Sequence, residues 1–141
     1  MNEKKATVHW EGQGKKGVGQ ISTETDALKS YPYGFASRFE DDRRGTNPEE
    51  LLGASHAACF TMAFSFACDK AGFATAAVDT KAIVRLVAQG DGFTIDRIAL
   101  RLEADVPGID EAKFLEIAKA AKAQCPLASV PEITLVATLR R

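Results

Sequence analysis

Residues 48–70 constrain the fold more than any other part of the chain. After Pro48-Glu49-Glu50 the run Leu51–Cys68 is almost wholly small and apolar, and it reads as one helix. Asn47 can cap it, Pro48 suits the first helical position, and Glu50 completes a capping box. Gly72 marks the stop. The helix spans about 35 Å at 1.5 Å per residue. Beyond Glu50 it is apolar nearly all round, which predicts burial on every side. A chain of 141 residues is one domain's worth and has trouble covering such a helix alone. A partner subunit is therefore expected. The same run is the one stretch to consider as a membrane span. His56, the hydroxyls of Ser55, Thr61 and Ser65, the many alanines and the acidic start all argue against a bilayer.

The remaining elements follow from periodicity and turn chemistry. Ala6–Glu11 and Gly17–Thr23 read as short strands, and Tyr31-Pro32-Tyr33-Gly34 as a turn. Phe35–Glu40 reads as a strand with Phe35, Ser37 and Phe39 on one face and Arg38 on the other. Asp41–Arg44 is a charged loop. Val78–Gln89 and Phe93–Val106 alternate as two long strands joined by a turn at Asp91-Gly92. Asp110 caps a second helix running to about Gln124, with the stripe Phe114, Ile117, Ala118 and Ala121. A last strand is expected at Glu132–Arg140, alternating through Ile133, Leu135, Ala137 and Leu139. These elements predict a single α+β domain over residues 1–141. It has meandering antiparallel strands, two main helices and an intertwined homodimer.

Composition narrows the function classes. The net charge of -1 gives no electrostatic case for nucleic acid or an anionic membrane as partner. The first residues are polar, with no secretory apolar core, so a cytoplasmic location is expected. Three cysteines in a reducing compartment point to thiol chemistry, metal binding or packing rather than a structural disulfide.

Cys59 lies mid-helix, where a free cysteine is more often a small hydrophobe than a nucleophile. Apolar burial raises a thiol pKa, so a working Cys59 needs a cation nearby. Arg38, among phenylalanines and tyrosines, is the candidate; its plainer reading is a surface arginine. Glu49 could orient that arginine, or simply complement the helix dipole. His56 shares nearly the same helix face as Cys59. Cys59 and His56 could act as nucleophile and base, or join Cys125 and His9 around zinc. Without a Cys-x-x-Cys motif the zinc signal is weak, and no metal is expected. Cys68 is about half a turn away from Cys59 and reads as packing. Cys125 precedes Pro126, which suits the first turn of a short helix whose dipole favours thiolate. Within reach of Cys59 it would be the second half of a dithiol.

Gly45-Thr46-Asn47-Pro48-Glu49-Glu50-Leu51-Leu52-Gly53-Ala54 with His56-Ala57-Ala58-Cys59-Phe60 resembles the signature helix of the OsmC/Ohr family of thiol peroxidases. The likeness extends to His9-Trp10-Glu11-Gly12, Tyr33-Gly34-Phe35 with Arg38-Phe39, Val106-Pro107-Gly108-Ile109-Asp110 and Cys125-Pro126. It covers essentially the whole chain and lies nearest the OsmC branch.

The resemblance implies an intertwined homodimer of antiparallel sheets wrapped around two long central helices, with active sites at the subunit interface. It implies a stress-response peroxidase that reduces organic hydroperoxides, and hydrogen peroxide less well, without a cofactor. Cys59 would be the peroxidatic cysteine, Cys125 the resolving one, and Glu49 the family's acid. In the Ohr branch the arginine comes from an early strand near Gly17-Val18, where this chain has none, and Arg38 takes its place. Apolar walls from Phe39, Phe60, Met62 and Phe64 would favour alkyl hydroperoxides. An external dithiol, of lipoyl type by the same resemblance, would reset the Cys59–Cys125 disulfide. Two other classes stay open: a non-catalytic ligand-binding stress dimer, and a zinc or Cys–His hydrolase.

Overall fold

The structure, a computed structural model, describes residues 2–128, 130 and 132–140. Five strands and three α-helices are described: β1 (Ala6–Glu11), β2 (Val18–Thr23), β3 (Tyr31–Tyr33), α1 (Phe35–Phe39), α2 (Pro48–Lys70), β4 (Ala77–Gln89), β5 (Gly92–Asp105) and α3 (Glu111–Ala123). Single 3₁₀ turns lie at Gly14–Lys16 and Pro126–Ala128. The strands form two sheets, β1-β2-β3 and the hairpin β4-β5. The expected α+β class holds. The chain divides into two compact units, residues 1–53 with 84–97, and residues 54–83 with 98–141.

The first unit carries the three-stranded antiparallel sheet, in which Trp10 stands opposite Gly19 and Gln20 opposite Pro32. Tyr31–Tyr33, expected as a turn, is therefore its third strand. The Tyr-Pro-Tyr composition misleads because Pro32 sits on an edge strand, where a missing N–H is tolerated. The second correction follows directly. Phe35–Phe39 is one turn of helix and not a strand. Phe35 and Phe39 are four apart, an even spacing that shares one face of a strand and is also the spacing that stacks side chains on a helix. Their rings lie 5.0 Å apart, and Phe39 packs equally close to Phe93.

The Asn47 cap expected for helix α2 is formed, while the Glu50 side chain turns to Thr46 in place of the expected capping box. Asn47 Oδ1 accepts the Glu50 backbone N–H at 2.7 Å, and Glu50 Oε2 accepts from the Thr46 hydroxyl at 2.7 Å. Gly72 takes a left-handed φ of 90° just past its end. Expected burial on every side is not what the single chain achieves. Phe60, Phe64 and Cys68, at helical spacing, are buried, while Met62 and Phe66 are 60% and 68% exposed. With apolar residues on all faces, one chain supplies partners for only one of them.

The second unit holds that buried face. Phe60, Phe64 and Cys68 meet Ile117 and Ala121 of α3 and Val106 after β5, with Leu100, Leu102 and Ala104 packed around them. Phe64 sits edge-on to Phe114, ring centres 5.7 Å apart. Burying a side chain such as Phe64 stabilises the fold by about 1.5–3 kcal/mol. Helix α2 is long and apolar enough to cross a membrane, yet this packing is how a core helix behaves. Asp110 caps α3 as expected, accepting from the Lys113 N–H at 2.8 Å.

Two boundaries differ from expectation. The β4-β5 turn falls on Gly90-Asp91, one residue early, with Gly90 at φ 59°. The strand expected at Glu132–Arg140 is not formed: residues 132–140 carry neither helix nor strand, and Ile133 and Leu135 are 91% and 87% exposed. Alternation records a face that suits pairing, but a strand exists only where another offers ladder partners.

Candidate active site

Two arrangements stand out, one in each compact unit. In the first, Arg38 on α1 reaches Glu49 in the opening turn of α2. Arg38 Nε donates to Glu49 Oε1 and Oε2 at 3.1 and 3.2 Å, and Nη2 donates to Oε1 at 2.7 Å. The Arg38 side chain is 38% exposed and that of Glu49 only 11%. Guanidinium and carboxylate thus meet in the forked geometry that arginine alone offers. Glu49 does not merely complement the helix dipole, and Arg38 is not a free surface charge. The guanidinium also lies 5.2 Å from the Phe39 ring centre.

The second arrangement pairs two thiols. Cys59 lies half-buried on α2, and Cys125, 6% exposed, stands directly before the 3₁₀ turn Pro126–Ala128. Hydrogen bonding with the Cys125 side chain pushes the Cys59 thiol pKa up, and burial and the charge of Cys125 act in the same direction. The backbone N–H of Leu127 opposes them. Proline before Leu127 sets up the turn that presents this N–H, so the turn acts on Cys59 rather than only on its neighbour. Both thiols are free.

Cys68 is fully buried, and burial alone raises its pKa, as expected of an inert packing cysteine. His56 lines a cavity of about 380 Å³ with Phe60, Ile98, Leu100, Lys122 and Cys125. His9 is exposed on β1 and bonds Glu11 at 2.9 Å. Among the described residues no group of three or more His, Cys, Asp or Glu is placed to hold a metal.

The expected apolar walls have separate surroundings. Phe39 stacks on Phe35 and Phe93 in the first unit. Phe60 is 5% exposed in the core and borders the Cys125 cavity. Met62 lines an open groove with Ala57, Ala58, Thr61 and Phe66. Phe64 is sealed in the core. Sequence reasoning missed the polar cluster around Thr46, a residue only 4% exposed. The signal was present: a threonine and an asparagine in succession before a helix start offer more polar groups than one cap needs.

An α+β chain with a thiol pair shared between a long small-residue helix and a Cys-Pro turn defines a class. The family model described as OsmC-like protein matches residues 40–134, and the chain belongs to that family. The peroxiredoxin OsmC of Escherichia coli K12 is 52% identical over 134 residues, covering 94% of this chain and 93% of that protein. Among solved structures, the organic hydroperoxide resistance protein OhrB of Bacillus subtilis is 26% identical. It superposes with a TM-score of 0.62, covering 86% of each chain. An OsmC-like protein of Vibrio cholerae, 15% identical, shares the fold with a TM-score of 0.70 over 91% of this chain and 92% of its own.

Proposed function

We propose that this protein is a two-cysteine peroxidase that reduces organic hydroperoxides to alcohols, and hydrogen peroxide less well. This reading rests on 52% identity to a peroxiredoxin OsmC over 94% of the chain, supported by the influence of the nearby Cys125 thiol, which raises the Cys59 pKa. In the first step the Cys59 thiolate attacks one peroxide oxygen and breaks the O–O bond. The alkoxide takes a proton and leaves as alcohol, and Cys59 becomes a sulfenic acid. In the second, the Cys125 thiol displaces the sulfenic hydroxyl, giving a Cys59–Cys125 disulfide and water. An external dithiol then reduces that bridge by two thiol exchanges and is itself oxidised to a disulfide. A lipoyl-type dithiol is our choice for that role.

The elevated Cys59 pKa sets the chemical problem, because thiolate is the nucleophile. Arg38, held in orientation by Glu49, is assigned to favour that thiolate and to bind the peroxide oxygens as charge develops. Phe39, Phe60 and Met62 are assigned to the alkyl group of the substrate.

The working enzyme is read as an intertwined homodimer in the cytoplasm. Its support is the exposed apolar surface of one chain: Met62 and Phe66 on α2, and Ile133, Leu135, Val136 and Leu139 near the C-terminus. Sedimentation should give twice the chain mass.

Consumption of cumene hydroperoxide with dithiothreitol tests the chemistry in wild type, Cys59→Ser and Cys125→Ser. Rapid turnover should vanish in Cys59→Ser, and Cys125→Ser should stall as an over-oxidised or sulfenic form. Wild type no faster than Cys59→Ser would refute the peroxidase reading and leave a ligand-binding dimer. Activity toward an ester that survives loss of Cys125 would point to hydrolysis.

A further inference from the structure

We propose that Ser37 is a positioning residue for the Arg38–Glu49 pair, its hydroxyl seating one-turn helix α1 on the chain that enters α2. The proposal rests on the reading in which Arg38 supports the reactive thiolate, and it adds what holds Arg38 in place.

An isolated helical turn of five residues cannot hold its own geometry, because nucleation costs more than one turn returns. Arg38 therefore needs an outside anchor, and its neighbour supplies one. Ser37 Oγ accepts the Gly34 N–H at 3.0 Å. Its single proton can go to the Thr46 carbonyl at 2.7 Å or the Gly34 carbonyl at 3.2 Å, and the shorter line favours Thr46. The Ser37 carbonyl in turn accepts from Asn47 Nδ2 at 3.2 Å. One residue thus grips both Thr46 and Asn47.

Those two are themselves fixed. Asn47 caps α2 through the Glu50 N–H, at 2.7 Å. Thr46 is buried, donates its N–H to the Pro32 carbonyl at 2.9 Å and its hydroxyl to Glu50 at 2.7 Å. Glu49 lies in the turn so anchored. Arg38 follows Ser37 directly and Glu49 lies two residues after Asn47, so the clamp between Ser37 and Asn47 sets their approach.

Gly45 gives an independent sign of how tight this seat is. A Cβ there would come within 2.8 Å of the Pro32 carbonyl oxygen and 3.1 Å of both Cβ and Oγ of Ser37. The backbone passes where no other residue fits without moving Pro32 or Ser37. Ser37 touches Arg38 only through the chain, so its effect must pass through the guanidinium. Misplacement of a positioned group by about 1 Å can cost as much as 100-fold in rate.

The test is steady-state hydroperoxide reduction by the full-length protein carrying Ser37→Ala, Gly45→Ala, Arg38→Gln, and each of the first two combined with Arg38→Gln. We expect Ser37→Ala and Gly45→Ala to lower kcat/KM on the order of 10-fold. The acidic limb of their pH–rate profiles should move to higher pH, as less-supported thiolate requires. Added to Arg38→Gln, either change should cost less than about 2-fold, because the group they act through is gone. Ser37→Thr, which keeps the hydroxyl, should stay within about 3-fold of wild type. If Ser37→Ala does not fold, the Gly45→Ala cycle carries the same comparison.

Full activity in Arg38→Gln would overturn the assignment of Arg38, and this proposal with it. Loss in Arg38→Gln alongside wild-type rates in Ser37→Ala and Gly45→Ala would overturn the proposal alone. So would equal losses in the presence and absence of Arg38, the mark of a purely structural role.

Discussion

Arg38 and Glu49 are eleven residues apart in the chain, yet three nitrogen–oxygen contacts between 2.7 and 3.2 Å join them. The carboxylate is largely buried and the guanidinium over a third exposed. Solvent screening limits what this pair adds to stability, to about 1 kcal/mol. Orientation of the guanidinium is the larger effect.

Glu49→Gln should therefore reduce kcat/KM for an organic hydroperoxide by about 10- to 100-fold while lowering Tm by only a few degrees. Arg38→Lys should resemble Arg38→Gln, since an ammonium cannot span both carboxylate oxygens. Kinetics and thermal melts on the same preparations check both. A lysine variant with wild-type rates would mean that charge suffices without the fork.

Removing the Cys125 side chain should ease ionisation of Cys59. Hydrogen bonding with Cys125 is the largest influence holding the Cys59 pKa up, and burial comes second. In Cys125→Ala the first is lost, so the pH midpoint of Cys59 alkylation by iodoacetamide should move down. Thiolate then forms more readily, although turnover is lost with the resolving thiol. A midpoint that stays or rises would contradict the thiol pairing.

Cys68 offers the opposite test, of a thiol that packs and does not react. Cys68→Ala should cost about 1–2 kcal/mol in urea unfolding, with peroxide turnover unchanged. Burial raises the Cys68 pKa above the ordinary 9.0. A thiol whose folded pKa is raised contributes stability fully present below its unfolded pKa and lost as pH rises toward the folded one. Wild type should thus lose stability above about pH 9, and Cys68→Ala should flatten that decline.

Asp42 provides a check outside the site. Its carboxylate accepts from Arg44 Nε at 3.0 Å and Nη2 at 2.8 Å, and from the Arg44 backbone N–H at 3.0 Å. These bonds, the side-chain ones first, lower its pKa from 3.8 to about 2. A depressed carboxylate contributes above its unfolded pKa, and that contribution fades as pH falls from about 4 toward 2. Carbon-detected NMR titration should place the Asp42 midpoint near the lower value in wild type, and higher in Arg44→Gln.

Some of this was legible because it depends on neighbours in the chain. The cap at Asn47, the proline at Pro48, the stop at Gly72 and the stripe of α3 are local, and backbone geometry alone turns them into helices. The two cysteines drew notice for their settings, a small-residue helix and a Cys-Pro step. Phe35–Phe39 defeated the same reasoning because two phenylalanines four apart satisfy either period. The Ser37 hydroxyl, bonded to Gly34 and to the Thr46 carbonyl, favours the helix, and local pattern does not reveal the second partner.

The sequence by itself determined where the two long helices α2 and α3 form and which residues have the chemistry to react, but not that α1 is a helix. Tertiary structure alone decided which of them meet. Arg38 reaches Glu49, and Cys59 meets Cys125 sixty-six positions further on, because folding brings distant chain segments together. It also decided that Glu132–Arg140 forms no strand within this chain, since pairing needs an edge and alternation supplies only a face. Contact between remote residues depends on packing of whole elements, and no window along a chain contains it.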